Sequence, residues 1–269
     1  MQSIELVNTC EIGQGKGFKV RTVSDKVPIL SADKTLIDNG RRIRKIGVSL
    51  CSGCPVGCIY CFTRTFNHFR PLKSIEIIDQ VKMIINSEGI SYDASTETKV
   101  SFKQMGDPLA NPLPTLSAIL AIHHLFPSFT FVVSSSGPRQ DVDFFKYLND
   151  VASRGINIRL QFSCHTTSDT ERAMLSPELP MMSYSEISDI IKNWDFSKVT
   201  LNFVLMDGYE YDVSKIAKHF NPERVFIKIN YIDTNSQTKK WNIKNADSII
   251  VHAFQNDLKK YGFSSAWRY

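Results

Sequence analysis

Short apolar runs alternate with stretches of helical period along most of the chain. Ile46 to Leu50 reads as a buried strand. A helix follows from Ser74, an N-cap residue type, with Ile77, Ile78, Val81, Ile84 and Ile85 at helical spacing and Gly89 as its stop. The next strands are predicted at Lys99 to Lys103, Phe129 to Val133, Ile156 to Phe162, Val199 to Leu205 and Val225 to Ile229. Between and after them the period returns to that of a helix at Pro114 to Phe126, Asp141 to Ser153, Ser183 to Trp194, Val213 to Phe220 and Ala246 to Tyr261. Units of this kind argue for an α/β fold, a parallel sheet with helices outside it. Six repeats suit a partial (β/α)6 barrel, in which active-site groups gather at the carboxyl ends of the strands.

Residues 1–43 break the pattern. They read as a small β-rich extension, with Lys19 to Val23 its clearest extended piece, ahead of a core domain at 44–269. The run Gly13-Gln14-Gly15-Lys16-Gly17 lacks the strand-then-helix setting of a nucleotide loop and reads as a hairpin turn.

The strand rule gathers polar residues at one end of the core. Strand two leads into Gln104-Met105-Gly106-Asp107-Pro108, strand three into Ser134-Ser135-Ser136-Gly137 and strand four into Ser163-Cys164-His165. Strand five ends at Met206-Asp207-Gly208 and strand six at Asn230, with Asp233 and Asn235 beyond. Turn chemistry alone supplies some of this polarity, since Gly, Asp, Asn and Ser favour loops.

Length and composition allow this architecture. The 269 residues suit one large α/β domain with an appendage, and 42% apolar content is enough for a core. No apolar run approaches membrane-spanning length and nothing resembles a signal peptide. The expectation is a cytoplasmic protein that uses no membrane, with its six cysteines reduced. The net charge of +5 is densest at Arg41-Arg42-Ile43-Arg44-Lys45, which reads either as an attractor of phosphate or as a solvated basic turn.

The candidate chemistry starts at the end of strand one, with Cys54-Pro-Val-Gly-Cys58-Ile-Tyr-Cys61. Three thiolates at this C-x3-C-x2-C spacing can hold three irons of a [4Fe–4S] cluster and leave the fourth iron open to a small molecule. Cys51 extends the run to four thiols, which keeps structural zinc and a fully ligated cluster as alternatives. Structural zinc usually takes two pairs separated by a longer loop, and ferredoxin runs are spaced differently.

The cysteine loop, with Tyr60 before its last cysteine, resembles that of the radical S-adenosylmethionine (radical SAM) enzymes, whose usual fold is the partial barrel. Further segments resemble one branch, the RlmN/Cfr methyl synthases that modify adenine in RNA. They are Thr98 to Ala110, Phe131 to Gly137, Leu160 to His165 with Asp169, Glu171, Arg172 and Leu175, Thr200 to Asp212, and Lys228 to Asn235. Their order spans roughly 44–269.

The resemblance implies a [4Fe–4S] cluster on Cys54, Cys58 and Cys61, with SAM as second cofactor. It implies that Gly106 and Asp107 hold the amino or methionine end of SAM. Ser134 would touch it from strand three, Ser163, Cys164 and His165 would contact its ribose or carboxylate, and Asn235 would reach the adenosine. It also implies an electron donor such as flavodoxin or ferredoxin, and a nucleobase, nucleotide or nucleic-acid substrate. No residue is assigned to the hydrogen abstraction itself.

Three departures separate the chain from that branch. The upstream cysteine of the methyl synthases falls on Gly47, their upstream-strand glutamate falls on Arg21, and no cysteine follows Cys164. The resemblance leaves the expectation that their N-terminal RNA-binding domain has no counterpart here. The expectation is therefore direct hydrogen abstraction by a 5′-deoxyadenosyl radical, leading to rearrangement, cleavage or coupling. The alternatives are an RNA adenine methyltransferase with a relay through Cys51 or Cys10, and a non-catalytic binding module with a structural metal.

Overall fold

The computed structural model describes residues 2–12, 15–38, 40–87 and 96–268. Gly13, Gln14 and Gly89 lie outside the described residues, and with them part of the expected hairpin turn and the expected helix stop. The chain forms two compact units. The first comprises Met1–Cys54, Phe66–Ser134 and Asp141–Ile158; the second comprises Pro55–Thr65, Ser135–Gln140 and Arg159–Tyr269.

The first unit opens on an antiparallel meander of β1 (Ile4–Ile12), β2 (Gly15–Thr22), β3 (Pro28–Asp38) and β4 (Arg41–Val48). The short β5 (Cys51–Ser52) and β6 (Arg70–Pro71) pair with each other. The sheet continues in parallel from β4 to β7 (Glu97–Phe102) and on to β8 (Thr130–Ser135). Period-two burial sets one face of this sheet against helices. Ile29, Ile46, Val48, Val100, Phe102 and Phe131 are buried, as are Ile77, Val81 and Ile84 of α1 (Ser74–Ser87). The unit also holds α2 (Pro112–Leu125) and α3 (Phe144–Ala152).

The basic cluster at 41–45 is neither loop nor turn: it is the first half of β4. Alternation splits its charges between the two faces. Arg44 turns to the helix face, where it grips Asp33 at 2.7 Å and donates to the Ile84 carbonyl of α1. Gln80 of α1 ties the same face down, accepting from Ser31 Oγ at 2.7 Å and from the Ser49 amide at 2.8 Å.

The second unit is built on four parallel strands in the order β9 (Ile158–Ser163), β10 (Val199–Val204), β11 (Val225–Asn230) and β12 (Ser264–Arg268). Its helices are α4 (Asp169–Leu175), α5 (Tyr184–Lys192), α6 (Val213–Ala217), α7 (Ser236–Lys240) and α8 (Ser248–Lys260). A capping box of Ser183 and Glu186 starts α5 and fixes its direction. The strand β12 is an addition to the expected elements. Ser264, Ser265 and Ala266 carry little strand signal, and the ladder with Phe226 to Asn230 of β11 holds them extended. The α/β class is as expected. Among the described residues no helix is long and apolar enough to cross a membrane.

Candidate cluster and cofactor site

In the first unit, β4 runs out at Val48 and the chain turns toward the cysteines. The Leu50 and Cys51 amides both donate to the Met105 carbonyl, at 2.8 and 3.1 Å, so the loop after β7 is laced to the loop after β4. Gly106 sits at φ +90°, and a Cβ there would meet Cys51 Sγ at 2.6 Å. Only glycine fits this approach without strain. Cys51 is fully buried beneath it. Burial, reinforced by the Asp107 carboxylate, pushes its thiol up to about 12. Asp107 is itself buried and caps the turn Pro108–Ala110, accepting from the Leu109 amide at 3.0 Å. Gly53 permits the last reversal before Cys54: its φ is +81° and a Cβ would lie 1.8 Å from the His68 carbonyl oxygen.

Gly47 is closely covered. A Cβ at this position would lie 2.8 Å from Gln104 Nε2 and 3.0 Å from its Cδ and Cγ. The Gln104 side chain therefore fills the space at the position where the resemblance places a cysteine. Ser134 is half-buried near the end of β8, and its neighbour Ser135 accepts from the Gly137 amide at 2.9 Å.

In the second unit, Cys58 and Cys61 sit on a tight turn closed by the Cys61 amide on the Cys58 carbonyl, 3.1 Å. Cys58 is buried, with Sγ 3.2 Å from Ser176 Oγ, a hydroxyl able to donate to a thiolate. The Ile59 amide donates to the Leu175 carbonyl at 2.9 Å, which holds the loop on the end of α4. Gly57, at φ +64°, leaves room for Glu178, which pairs with Arg64 at 2.7 Å.

Beside this loop lies a small cavity of about 10 Å³, with Tyr60, Ser136, Ser163, His165, Arg172 and Ser176 among its walls. Ser163 ends β9. Cys164 is buried, and loss of solvent raises its thiol to about 11. His165 adopts φ +66°, a conformation that costs a non-glycine residue about 1 kcal/mol or more and marks a position fixed by its surroundings. Its Nδ1 accepts from the Val204 amide at 3.1 Å, and Tyr60 meets its ring edge-on at 5.1 Å. The neutral ring then carries its proton on Nε2 and can donate from that atom.

Burial, with the Arg172 cation adding to it, holds the His165 imidazole down to about 3. The unfolded chain takes up that proton below about pH 6.5. The unfolded state thus binds more protons in the window between, and stability falls as pH drops from about 6.5 toward 3. Above that window His165 contributes no slope. Urea denaturation of a His165→Gln variant is expected to show a shallower loss of stability on acidification than the parent.

Asn235 caps α7, accepting from the Gln237 and Thr238 amides at 2.8 and 3.2 Å. Its Nδ2 donates to the Tyr60 carbonyl at 3.1 Å, so this amide pins the cysteine loop from the far end of the chain. The second unit thus brings together Cys58, Cys61, Ser163, Cys164, His165 and Asn235 around Tyr60. Ser136, Arg172 and Ser176 join the site from outside the expected set. Arg172 is buried, donates to the Met182 and Ser136 carbonyls at 2.7 and 3.2 Å, and lies 4.7 Å over the Tyr184 ring. Its Nε has no partner among the described residues. Arg172→Ala is expected to destabilise by about 3 kcal/mol, because two carbonyls lose a charged donor. An equilibrium urea titration measures it.

The donor set fits an iron–sulfur cluster: three soft thiols on one glycine-bent loop, with a hydroxyl beside Cys58. Among the described residues, no group of three or more His, Cys, Asp or Glu side chains is placed to hold a metal ion. A cubane asks for one thiolate at each of several irons, whereas zinc asks all its ligands to meet at one point.

No family model matches the chain. It is 27% identical over 192 residues to a "probable dual-specificity RNA methyltransferase RlmN" of Thermotoga neapolitana, covering 68% of this chain and 53% of that protein. The protein of the same name from Aquifex aeolicus is 27% identical over 242 residues, covering 82% of this chain and 64% of the relative. The chain thus spans 53% and 64% of the length of these two relatives. A radical SAM methyltransferase structure from Sphaerobacter thermophilus has the same fold, with TM-score 0.76, 20% identity and coverage of 100% of this chain and 78% of that one. A spore photoproduct lyase complexed with dinucleoside spore photoproduct aligns at TM-score 0.52 and 11% identity, over 81% of this chain and 75% of that one. These relatives and the shared fold support the resemblance of the chain to the radical SAM superfamily and, within it, to the RlmN/Cfr-like branch.

Proposed function

We propose that the protein is a radical SAM enzyme that abstracts hydrogen directly from a substrate carrying a nucleobase. The observation that carries this reading is the Cys54, Cys58 and Cys61 loop, whose second half is tied to the Ser163 and His165 wall through Tyr60. When bound, a [4Fe–4S] cluster and SAM would supply a 5′-deoxyadenosyl radical, the chemistry the protein itself cannot provide.

The chain's own groups have simpler tasks. Cys54, Cys58 and Cys61 hold the cluster, and the Ser176 hydroxyl stabilises the Cys58 thiolate. Gly106 brings backbone close, and the Asp107 carboxylate suits the ammonium end of SAM. Ser134 and Ser163 offer hydroxyls to its polar groups, with the buried Cys164 shaping the wall between Ser163 and His165. His165, kept neutral, presents its Nε2 proton as a donor. Asn235 acts on the adenosine side by fixing the Tyr60 loop. Residues 1–43 serve as an extension to a core at 44–269. A small electron-transfer protein such as flavodoxin or ferredoxin supplies the electron.

Gln104 over Gly47 favours direct abstraction over a methyl relay, since that side chain occupies the place of an upstream thiol. The second reading, an RlmN-type methyltransferase with another relay, draws on the relatives' name and on the remaining thiols Cys51 and Cys10. Anaerobic incubation of the reconstituted protein with SAM and dithionite tests the main reading. Formation of 5′-deoxyadenosine and methionine in equal amounts is expected. No more product than in a Cys58→Ala control overturns the enzymatic claim, and a methylated Cys51 or Cys10 in the purified protein overturns the choice of mechanism.

A further inference from the structure

Within the second unit, Tyr60 turns its ring to the His165 wall, the side assigned above to SAM. The chain leaving Cys61 forms the helical turn Phe62–Thr65, and α7 packs against that turn. Asn235 joins the two, capping α7 and donating to the Tyr60 carbonyl at 3.1 Å. The segment around α7 therefore lies next to a cluster thiol, and it is basic. From Tyr231 to Ala246 the sequence holds three lysines, Lys239, Lys240 and Lys244, against one acid, Asp233. All three lysines are exposed, and among the described residues no carboxylate pairs with them. Lys239 and Lys240 suit the carboxyl end of α7, but Lys244 lies beyond the helix and answers to no such demand.

A hollow of about 440 Å³ lies among these groups, with Lys239, Asn242 and Lys244 on its wall and Ile232 and Ile243 as its apolar part. Its frame is fixed in advance. Asn245 Oδ1 accepts from the Ile232 amide at 2.6 Å, the Ile243 amide donates to the Thr238 carbonyl at 2.8 Å, and the Asp207 amide to the Lys244 carbonyl at 3.0 Å. Two ammonium groups on the wall of a rigid hollow suit carboxylate side chains projecting from a partner. Trp241 and Phe62 are each exposed over almost half of their surface, and Lys240 lies 5.9 Å over the Trp241 ring. Exposed Trp is a residue type enriched at interfaces. An electron has to enter from outside by a short route to a thiolate, and the turn after Cys61 is such a route. A substrate has to reach the His165 wall instead, so the surface fits an acidic electron-transfer protein better than a polynucleotide. Such partners meet through small contacts steered by charge.

We infer that Lys239, Lys240 and Lys244, with Trp241 beside them, form the docking surface for a small acidic electron-transfer protein. This deepens the functional reading above and rests on its cluster, but docking is measured without SAM. One electron crosses at this surface. A flavodoxin partner is oxidised from the anionic flavin hydroquinone to the neutral semiquinone, and the oxidised cluster gains that electron; no bond forms and no proton moves.

The test uses the reconstituted full chain and purified flavodoxin. Binding is followed by titration calorimetry across a salt series, and 5′-deoxyadenosine formation is driven either by reduced flavodoxin or by dithionite. Replacing Lys239, Lys240 and Lys244 together by Gln is expected to weaken flavodoxin binding by about tenfold or more at low salt and to flatten its salt dependence. Turnover with limiting flavodoxin is expected to fall by a similar factor. Turnover with dithionite, which needs no docking, is expected to stay unchanged. A control with the same loss of charge at the carboxyl ends of α5, α6 and α8, Lys192→Gln, Lys218→Gln and Lys259→Gln, is expected to change none of these. No binding of flavodoxin by the parent, equal weakening in both triple variants, or none in the first overturns the proposal. So does a first variant that loses affinity for a short single-stranded RNA but keeps it for flavodoxin. If flavodoxin binding follows the lysines while SAM is not cleaved with either reductant, the radical reading fails and the surface stands. If dithionite supports SAM cleavage but flavodoxin binding ignores the lysines, the surface fails and the radical reading stands.

Discussion

Cys58→Ala is expected to abolish the brown chromophore of the reconstituted protein and to lower SAM cleavage by more than about a hundredfold, beyond what loss of a supporting group around a metal costs. Cys54→Ala and Cys61→Ala should do the same. Cys51→Ala should keep both colour and activity. The contrast follows from where the thiols lie. Cys58 and Cys61 lie on a turn closed by their own backbone, with a hydroxyl ready for a thiolate. Cys51 is buried under Gly106 beside the Asp107 carboxylate, an environment that favours the neutral thiol. Its truncation removes a small buried group and costs about 1 kcal/mol of stability. Iron content and visible absorption of the four variants, prepared side by side without oxygen, decide between a three-thiolate and a four-thiolate site.

The second large effect is expected at Gly106. Gly106→Ala places a methyl group 2.6 Å from Cys51 Sγ and 2.8 Å from its Cβ, at a φ of +90° that alanine rarely adopts. Neither neighbour can yield, since Cys51 is held by its own amide on the Met105 carbonyl. The clash and the backbone strain together cost about 3 kcal/mol or more. The Asp107 carboxylate moves with the loop, so SAM affinity is expected to fall as well. Cys51→Ala in the same chain should recover part of the stability by removing the sulfur, while the strain of the positive φ remains. Chemical denaturation and SAM binding measured on the single and double variants separate the two contributions.

The fold is most legible where one face is buried and the residues alternate. Val199–Val204 and Val225–Asn230 each bury every second residue, and both strands are found where that period puts them. The isoleucines and valine of α1 give an equally plain helical stripe. The meander is harder to read. In β2, Lys19 and Arg21 alternate with buried Phe18, Val20 and Thr22, a half-solvated pattern that resembles loop composition. Arg41 to Lys45 looks like a turn because its charges are contiguous, yet β-alternation sends Arg44 to Asp33 and Lys45 to the other face. The strand β12 has too few β-branched residues to announce itself, and it exists through its ladder with β11.

The site divides in the same way. The cysteine spacing is local, so a linear reading finds it. The contact of Tyr60 with His165 and the bond from Asn235 to the Tyr60 carbonyl join distant parts of the chain, and no local signal carries them. Arg172 and Ser176 belong to the cavity wall because α4 folds back onto the loop. The filling of Gly47 by Gln104 depends on both positions in space, and neither residue signals it alone.

The central claim is that one iron of the cluster has no protein ligand and is free to take SAM. Electron–nuclear double resonance on the reduced, reconstituted protein, with SAM labelled at its amino nitrogen, tests it most directly. A hyperfine coupling from the labelled nitrogen, equally strong in the Cys51→Ala variant, is expected. A spectrum that SAM leaves unchanged in the parent, and that Cys51→Ala alters, would contradict the account.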